Sequence, residues 1–220
     1  MEQHKKAASK VLTGLIISYG MSILSGILVA VWMLAGGLDL ISNLVSSAID
    51  DGDVMAMSQT LSFIQGSLVI VLIGAVSSIG QIIGSAVSYM GIRSFSVGLD
   101  EMGARGARNM TTGMLLSLIA LCVGLLNWML VFSAAVAGVC NVVALVFMIM
   151  GAGSLRRSEL LSEMGRSGAQ SVFVAHILSA VSIVAIIIPV IGWLAIPVLT
   201  IVSIVKNLSG WNKIRQSFNQ

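Results

Sequence analysis

The sequence predicts an all-α integral membrane protein with six transmembrane helices, arranged as three helical hairpins that are parallel internal repeats. Composition is the first reason, because 57% of the residues are hydrophobic, 10% are charged and the mean hydropathy is +1.01. A soluble domain carries about 25% charged residues. The second reason is a series of long uncharged runs, since a helix needs roughly 20 apolar residues to cross a bilayer. The third is that every Lys and Arg lies outside those runs.

Uncharged runs and charged stretches alternate along one polytopic membrane domain that covers residues 1–220. The predicted segments are hairpin 1 at 11–92 with an acidic outer loop at 36–62, a connector at 93–109, hairpin 2 at 110–153, a second connector at 154–170, hairpin 3 at 171–205 and a basic tail at 206–220. Hairpin 2 fits two crossings if the chain reverses near Asn127–Trp128. Hairpin 3 is predicted to reverse at Pro189–Trp193, which leaves two short helices of about 17 residues each.

The amino-terminal segment imitates a signal peptide, because three lysines precede the uncharged run Val11–Leu38. That run exceeds the usual apolar region of about 7–15 residues, so we expect an uncleaved first helix, from about Val11 to Ala35. Small residues recur every four positions in hairpin 1. These helix-packing candidates are Gly14, Ser18, Ser22, Gly26, Gly80 and Gly84. Such spacing favours a groove for close helix approach, and a smooth strip facing lipid is the alternative.

The stretch Leu38–Ser62 is acidic and contains no Lys or Arg. Helical spacing of its apolar residues predicts a short amphipathic helix on the membrane surface, ended by Asp50, Asp51 and Asp53. Three neighbouring carboxylates suit Ca²⁺, but the alternation and distal Glu of an EF-hand loop are missing. A solvated acidic loop is therefore the prediction, and no metal site is expected.

The connectors repeat each other, because Gly91–Ala107 and Gly153–Ala169 share eight identities in seventeen positions without a gap. This indicates duplication, and each connector is predicted to place a short amphipathic helix on the headgroups, the first ending near Gly103. A third copy is fainter: Leu12–Ser18 resembles Thr111–Ser117. Helix exits also match, at Ile92-Arg93-Ser94, Leu155-Arg156-Arg157-Ser158 and Ile214-Arg215-Gln216-Ser217.

Charge sidedness predicts the topology. All twelve Lys and Arg residues fall in the two tails and the two connectors, and six crossings put these four segments on one side. The opposite side receives none. By the positive-inside rule both termini are cytoplasmic, in a plasma membrane of the bacterial inner-membrane type. Trp32, Trp128 and Trp193 then lie near outer helix ends, where interfacial tryptophans are enriched.

Candidate chemistry is sparse, because no Asp, Glu, Lys or Arg falls within a predicted crossing. The candidate intramembrane polar site consists of Gln81, Asn141 and His176. Gln81 and Asn141 suit interhelical hydrogen bonds, and His176, expected near the inner end of its helix, suits a proton relay or a helix-bridging hydrogen bond. Cys122 and Cys140 lie in apolar runs and are expected to be small buried hydrophobic residues, without a disulfide. No catalytic or cofactor-binding motif occurs, so an enzyme is not expected.

Two functions fit these features. The first is a non-catalytic scaffold, assembly or regulatory membrane component that acts through helix packing and basic connectors, with the lipid bilayer, a second copy or another membrane protein as partner. Its contact candidates are Arg93, Arg105, Arg108, Arg156, Arg157 and Arg166. Nucleic acid is excluded because the basic residues form no dense patch. The alternative is a small carrier or channel for a neutral solute, along a path lined by Ser and Gln.

Overall fold

Long helices make up the protein. A computed structural model describes residues 1–37, 39, 57–126, 131–185 and 189–219. In this part of the chain the long helices are α1 (Glu2–Trp32), α2 (Met57–Phe95), α3 (Glu101–Leu125), α4 (Val131–Leu155), α5 (Glu163–Ala185) and α6 (Pro189–Ser217). A π-helical turn, Met33–Gly37, follows α1 and contains Gly36 at φ 115°.

Among the described residues, five segments are long and apolar enough to cross a membrane. They are Glu2–Gly37, Leu68–Phe95, Glu101–Leu125, Phe132–Leu155 and Glu163–Ala185. Large apolar side chains also lie on their outer surfaces; Leu72 is 62% exposed and Val139 is 65% exposed. Such surfaces are costly in water and normal in lipid, where the hydrocarbon is the solvent. The fold is therefore consistent with the predicted all-α membrane protein.

The helices α1 and α3 begin earlier than the sequence suggested. α1 starts at Glu2, so the amino-terminal lysines belong to it. The expected connector helix that ends at Gly103 is wrong, since Gly103 lies in the first turn of α3. A Cβ on Gly103 would lie 2.7 Å from Oδ1 of Asp100 and 2.8 Å from Oγ of Ser158. The glycine therefore allows close packing there and does not end a helix.

The third pair of helices is longer than expected. α5 has 23 residues because Glu163–Gln170 belongs to it. α6 has 29 residues because it continues through the predicted tail to Ser217. Pro189 begins α6, so the predicted reversal at Pro189–Trp193 is wrong. Proline is tolerated in a first helical turn because the backbone N–H that it lacks has no partner there. The predicted turn at Asn127–Trp128 and the predicted acidic loop with Asp50, Asp51 and Asp53 lie outside the described residues.

The chain divides into two compact units, residues 1–19 with 82–220, and residues 20–81. In the smaller unit, the hydroxyl of Ser77 donates to the carbonyl oxygen of Met21 at 3.1 Å, which ties α2 to α1. Gly80 lies beside the side chain of Met21, whose Cε would be 2.9 Å from an added Cβ. Gln81 Nε2 donates to Ser77 Oγ at 3.0 Å.

The larger unit packs its helix pairs backbone to backbone at the end that carries the connectors, residues 96–100 and 156–162. We call the residue pairs that make these contacts the glycine layer: Ala7 with Gly91, Gly106 with Gly151, and Gly168 with Gly210. A Cβ on Gly106 would lie 2.7 Å from the carbonyl oxygen of Gly151. One on Gly210 would lie 2.6 Å from that of Gly168. Backbone therefore contacts backbone, as small residues permit between membrane helices.

Candidate functional site

A cavity of about 290 Å³ lies inside the larger unit and is lined by all six long helices. Its wall is polar in part and carries no charged side chain. The lining residues are Leu15, Ser18, Tyr19, Ser85, Ser88, Met114, Ser117, Asn141, Leu145, Met148, His176, Ser179, Ile183 and Asn207. Ser18 follows Lys10 by eight residues, which at 1.5 Å per residue places the cavity roughly 12 Å from the basic end of α1.

Asn207 is the most buried amide of this cavity, with 3% of its surface exposed. Its Nδ2 donates a hydrogen bond to the Tyr19 hydroxyl at 2.7 Å, which fixes the orientation of the amide. Its Oδ1 has no hydrogen-bond partner among the described residues. A buried acceptor left in that state costs about 1–3 kcal/mol, so the site favours an occupant that donates to it.

Several serine hydroxyls of the cavity wall are used in helix contacts. Ser88 donates to the carbonyl oxygen of Val11 at 3.2 Å. Ser179 and Ser203 share a hydrogen bond of 2.8 Å, and Ser203 donates to the carbonyl oxygen of Ala175 at 2.9 Å. These hydroxyls hold neighbouring helices together and contribute little further capacity to an occupant.

His176 and Asn141, from α5 and α4, both line the cavity, as intramembrane polar residues predicted from sequence. The expectation that His176 lies near the inner end of its helix is wrong, because α5 begins at Glu163, thirteen positions earlier. Gln81, the third candidate, belongs to the smaller unit and bonds to Ser77 there.

Tyr19 and Asn207 are the functional candidates that sequence reasoning missed. Tyr19 sits in an apolar run, where one aromatic residue is unremarkable. Asn207 follows Lys206, where the apolar run ends, and was therefore assigned to the tail. α6 continues to Ser217, so Asn207 is still well inside a helix. One sequence signal could have identified Asn207. It precedes Arg215 by eight residues, just as Ser18 follows Lys10 by eight, so both residues are predicted at a similar distance from the basic ends of their helices.

A closed layer separates the cavity from the connector end. Val11, Met110 and Val172 lie between the glycine layer and the cavity on α1, α3 and α5, and each is at most 1% exposed. Ile92, Ala152 and Trp211 are buried to a similar extent on the other three helices. Beyond the cavity the packing loosens, since the buried residues of α5 end at Ala175. In this conformation the connector end is sealed.

An aromatic cluster covers that sealed end. The rings of Phe95 and Trp211 meet edge to face with centroids 5.8 Å apart, and His4 stacks on Phe218 at 5.3 Å. His4 Nε2 also lies 2.8 Å from the carbonyl oxygen of Val97, in the first connector. Residues near both termini therefore meet the first connector at one end of the larger unit.

Asp100 links the two connectors. Its Oδ1 accepts a hydrogen bond from the buried Ser158 hydroxyl, and its Oδ2 accepts one from the backbone N–H of Glu159 at 3.1 Å. Burial by itself raises the pKa of this carboxyl, but the hydrogen bonds from Ser158 and Glu159 outweigh it. The net result is a pKa below the ordinary 3.8.

The connector arginines mostly point outward. Arg156 is half-buried: its Nη1 donates to Gln170 Oε1 at 2.7 Å, and its guanidinium lies 4.5 Å from the ring centroid of Phe173. The exposed members are Arg93, Arg105, Arg108, Arg157 and Arg166.

The predicted packing stripe of α1 divides in two. A Cβ on Gly84 would lie 2.6 Å from the carbonyl oxygen of Gly14 and equally close to the backbone of Ser18. Farther along α1, Ser22 is exposed, and a Cβ on Gly26 would meet no described atom within 4 Å. Backbone-to-backbone approach on this stripe therefore ends near Ser18, and the next contacts of α1 with α2, at Met21, involve the side chains of Met21 and Ser77.

Cys122 and Cys140 are free thiols. The expectation that both are buried is wrong, because Cys122 is exposed and Cys140 is half-buried. No cluster of three or more His, Cys, Asp or Glu side chains suited to a metal occurs within the described ranges. Comparison with protein-family models, curated proteins and solved structures finds no match for this chain. The arrangement of the cavity suits reversible binding of an uncharged molecule, because its wall offers hydrogen-bonding groups without a fixed charge.

Proposed function

We propose that this protein crosses the membrane six times as three parallel hairpins, α1–α2, α3–α4 and α5–α6, with both termini cytoplasmic. The support is that all twelve Lys and Arg residues lie in residues 1–10, 93–108, 156–166 and 206–215, which are the two terminal segments and the stretches around the two connectors. The contacts among His4, Val97 and Phe218 and between Asp100 and Ser158 bring these segments to one end of the larger unit. Exposed arginines at that end suit the anionic lipid of an inner leaflet.

Equivalent positions around the cavity support the repeats. Between the first helices of the hairpins, equivalent positions are 99 residues apart from α1 to α3 and 62 apart from α3 to α5. Between the second helices they are 60 apart from α2 to α4 and 59 apart from α4 to α6. Three complete sets line the cavity: Ser18, Ser117 and Ser179; Leu15, Met114 and His176; Ser88, Met148 and Asn207. The first two sets extend the faint likeness of Leu12–Ser18 to Thr111–Ser117, and they suggest a three-fold arrangement of hairpins about the cavity.

This arrangement implies a register for the helix exits that differs from the sequence match. The residue of α2 that is equivalent to Leu155 and Ile214 is then Phe95 and not Ile92. Phe95, Leu155 and Ile214 are each 0% exposed. The shift follows from the connectors, which have five and seven residues. The second connector is two residues longer than the first. Equivalent positions are therefore 60 residues apart between α2 and α4, which precede the connectors, and 62 apart between α3 and α5, which follow them.

We further propose that the protein is a carrier for a small neutral solute, which occupies the cavity during transport. The observation that carries this proposal is the unpartnered Oδ1 of the buried Asn207, a residue in the wall of a largely apolar cavity that has no charged side chain. The sealed layer at the connector end favours a carrier over an open channel, because solute passes only if the layer opens. Neutral binding groups favour uncharged solutes, since a charge without a partner is costly at this depth.

The geometry supports the contact function less well. Its main argument was the repeated connector sequence, yet three of the eight identical pairs are buried inside the protein in both copies. Those buried in both copies are Gly103 with Gly165, Gly106 with Gly168, and Ala107 with Ala169. The repetition is then explained by internal helix packing. Contacts with a second copy or another membrane protein stay a prediction from the exposed arginines.

Uptake by liposomes that contain the purified protein tests the carrier. Nicotinamide is expected to enter several-fold faster than into protein-free liposomes, while its charged counterpart nicotinate is excluded. Ser117→Phe, which fills the cavity, is expected to abolish the gain. Ile119→Phe is the matched control, because Ile119 lies on the same helix and is 42% exposed on its surface.

Nicotinate entry as fast as that of nicotinamide would contradict the proposal, because the cavity has no group to balance the charge. So would equal uptake by protein-containing and protein-free liposomes for nicotinamide, urea and glycerol alike. Folding of each variant is checked by circular dichroism and gel filtration in detergent.

A further inference from the structure

The cavity has one hairpin that differs from the other two. At the position where α1 and α3 carry Leu15 and Met114, α5 carries His176. Where α2 and α4 carry Ser88 and Met148, α6 carries Asn207. α5 and α6 thus contribute an imidazole and an amide at positions where the other two hairpins carry Leu, Met or Ser, while those hairpins add Tyr19, Asn141 and serine hydroxyls elsewhere in the lining.

The groups with free capacity define what an occupant needs. Asn207 Oδ1 is an acceptor without a partner, and its amide is held in place by Tyr19. A neutral imidazole offers one donor and one acceptor, so His176 is suited to donate to a carbonyl oxygen. Ser88 and Ser179 already bond within the protein. The polar edge of the occupant therefore needs one N–H or O–H donor next to an acceptor.

The remaining wall defines the rest of the molecule. Leu15, Met114 and Met148 present aliphatic carbon and thioether sulfur, which favour the face of an aromatic or other apolar group. A cavity of about 290 Å³ holds a molecule of one ring with a short substituent. Charged ends are disfavoured because no lining residue balances them.

We propose that the cavity recognises small uncharged carboxamides with an apolar body. Asn207 Oδ1 accepts from the ligand N–H, His176 donates to the ligand carbonyl oxygen, and Met114 and Met148 pack against the apolar body. This specificity rests on the proposed carrier function and assigns its solute class. Discrimination comes mainly from Asn207, because a ligand without a donor leaves the buried acceptor unpaired.

Two probes separate the donor from every other property. Benzamide and methyl benzoate share the ring and the carbonyl group, and only benzamide has an N–H donor. Titration calorimetry on the full chain in lipid nanodiscs, corrected with empty nanodiscs, is expected to give about tenfold tighter binding of benzamide, as one hydrogen bond to a buried acceptor allows.

Variants that copy the other hairpins test the assignment. Asn207→Met copies Met148 and Asn207→Ser copies Ser88, so at least one is expected to fold if the hairpins are equivalent. Both are expected to remove the preference for benzamide, by weakening its binding about tenfold and leaving methyl benzoate within about twofold. His176→Leu copies Leu15 and is expected to weaken both probes alike. Asn212→Met is the matched control, since Asn212 lies on α6 outside the cavity and bonds to Arg215 at 2.8 Å.

The possible failures are distinguishable. Equal affinity for the two probes in the unmodified protein, or a preference that survives in a folded Asn207 variant, overturns the carboxamide assignment. If nicotinamide uptake still depends on the protein in that case, the carrier function stands. Absence of both binding and uptake overturns the two proposals together.

Discussion

Asp100 makes two hydrogen bonds that run from the first connector to the second. One partner is a hydroxyl with 0% exposure, on Ser158, and the other is the backbone N–H of Glu159. Both donors favour the carboxylate over the protonated acid, which explains the lowered pKa despite the opposing effect of burial. A single side chain thus joins two segments that are 58 residues apart in the chain.

Replacing Asp100 by Ala is expected to lower stability at neutral pH. The loss is about 1 kcal/mol, because water screens a carboxylate that is not fully buried. The folded chain has the lower pKa, so the stabilisation is complete above the unfolded value of 3.8 and disappears as the pH falls through the folded value. Thermal unfolding in detergent from pH 7 to pH 3 checks this.

Glu159→Ala is the control for that experiment, since it removes a nearby exposed carboxylate and keeps the backbone N–H that bonds to Asp100. A stability difference for Asp100→Ala that stays constant down to pH 3 would contradict the assigned role. So would an equal loss in the control.

Part of the candidate site was readable from residue type alone. His176 and Asn141 stand out because polar groups in an apolar run are costly without a partner. Tyr19 and Asn207 did not, because their importance depends on a contact between residues 188 positions apart. The hydrogen bonds that occupy the hydroxyls of Ser88 and Ser203 were also not predictable, because their acceptors lie on other helices that are distant in the sequence.

At the scale of elements, the glycine layer decides how closely the paired helices approach. The prediction of helices from uncharged runs succeeded where the runs were long, because hydropathy reflects the solvent of the helix surface. Helix starts were misjudged at Glu101 and Glu163, because charge marks where a helix leaves the membrane and does not mark where it begins. Acidic residues in a first turn in fact stabilise a helix through its dipole.

Two glycines of α3 give a matched test of this layer. Gly106→Ala is expected to destabilise the protein by about 1–3 kcal/mol, since its Cβ would meet the backbone of Gly151 and Leu155. Gly124→Ala adds a Cβ into open space and is expected to be neutral or to stabilise by up to about 1 kcal/mol through helix propensity. Reversible unfolding in mixed detergent measures both. Equal effects would show that close approach at Gly106 is not required.

At the scale of the whole molecule, charge asymmetry predicts which segments share a compartment. The fold brings residues near both termini to the first connector, which agrees with the even number of crossings that we propose. The proposed two-residue offset between the hairpins could not be predicted from sequence, because small apolar residues match in many registers. It is inferred from the positions that line the cavity.

Labelling of single cysteines tests the proposed sidedness, in a background where Cys122 and Cys140 are replaced by Ala. Asp50→Cys is expected to react with an impermeant maleimide from outside intact bacterial cells that express the protein. Glu101→Cys and Glu163→Cys, at exposed positions, are expected to react only after the membrane is opened. Reaction of all three from the same side would contradict six crossings.

The glycine layer lies within the first or last two turns of its helices, at the end that carries the connectors, in each of the three helix pairs. No described counterpart of it occurs toward the other end of α5, whose buried residues finish at Ala175. A protein built from inverted repeats can exchange its two openings by swapping the conformations of its halves. The proposed parallel hairpins lack that option, so release of a solute at the connector end requires the hairpins to move apart at the buried side chains of Val11, Met110 and Val172, while each hairpin keeps its own backbone contacts. The slowest motion of the proposed transport cycle is then expected at this side-chain layer, between hairpins that each move as a rigid pair.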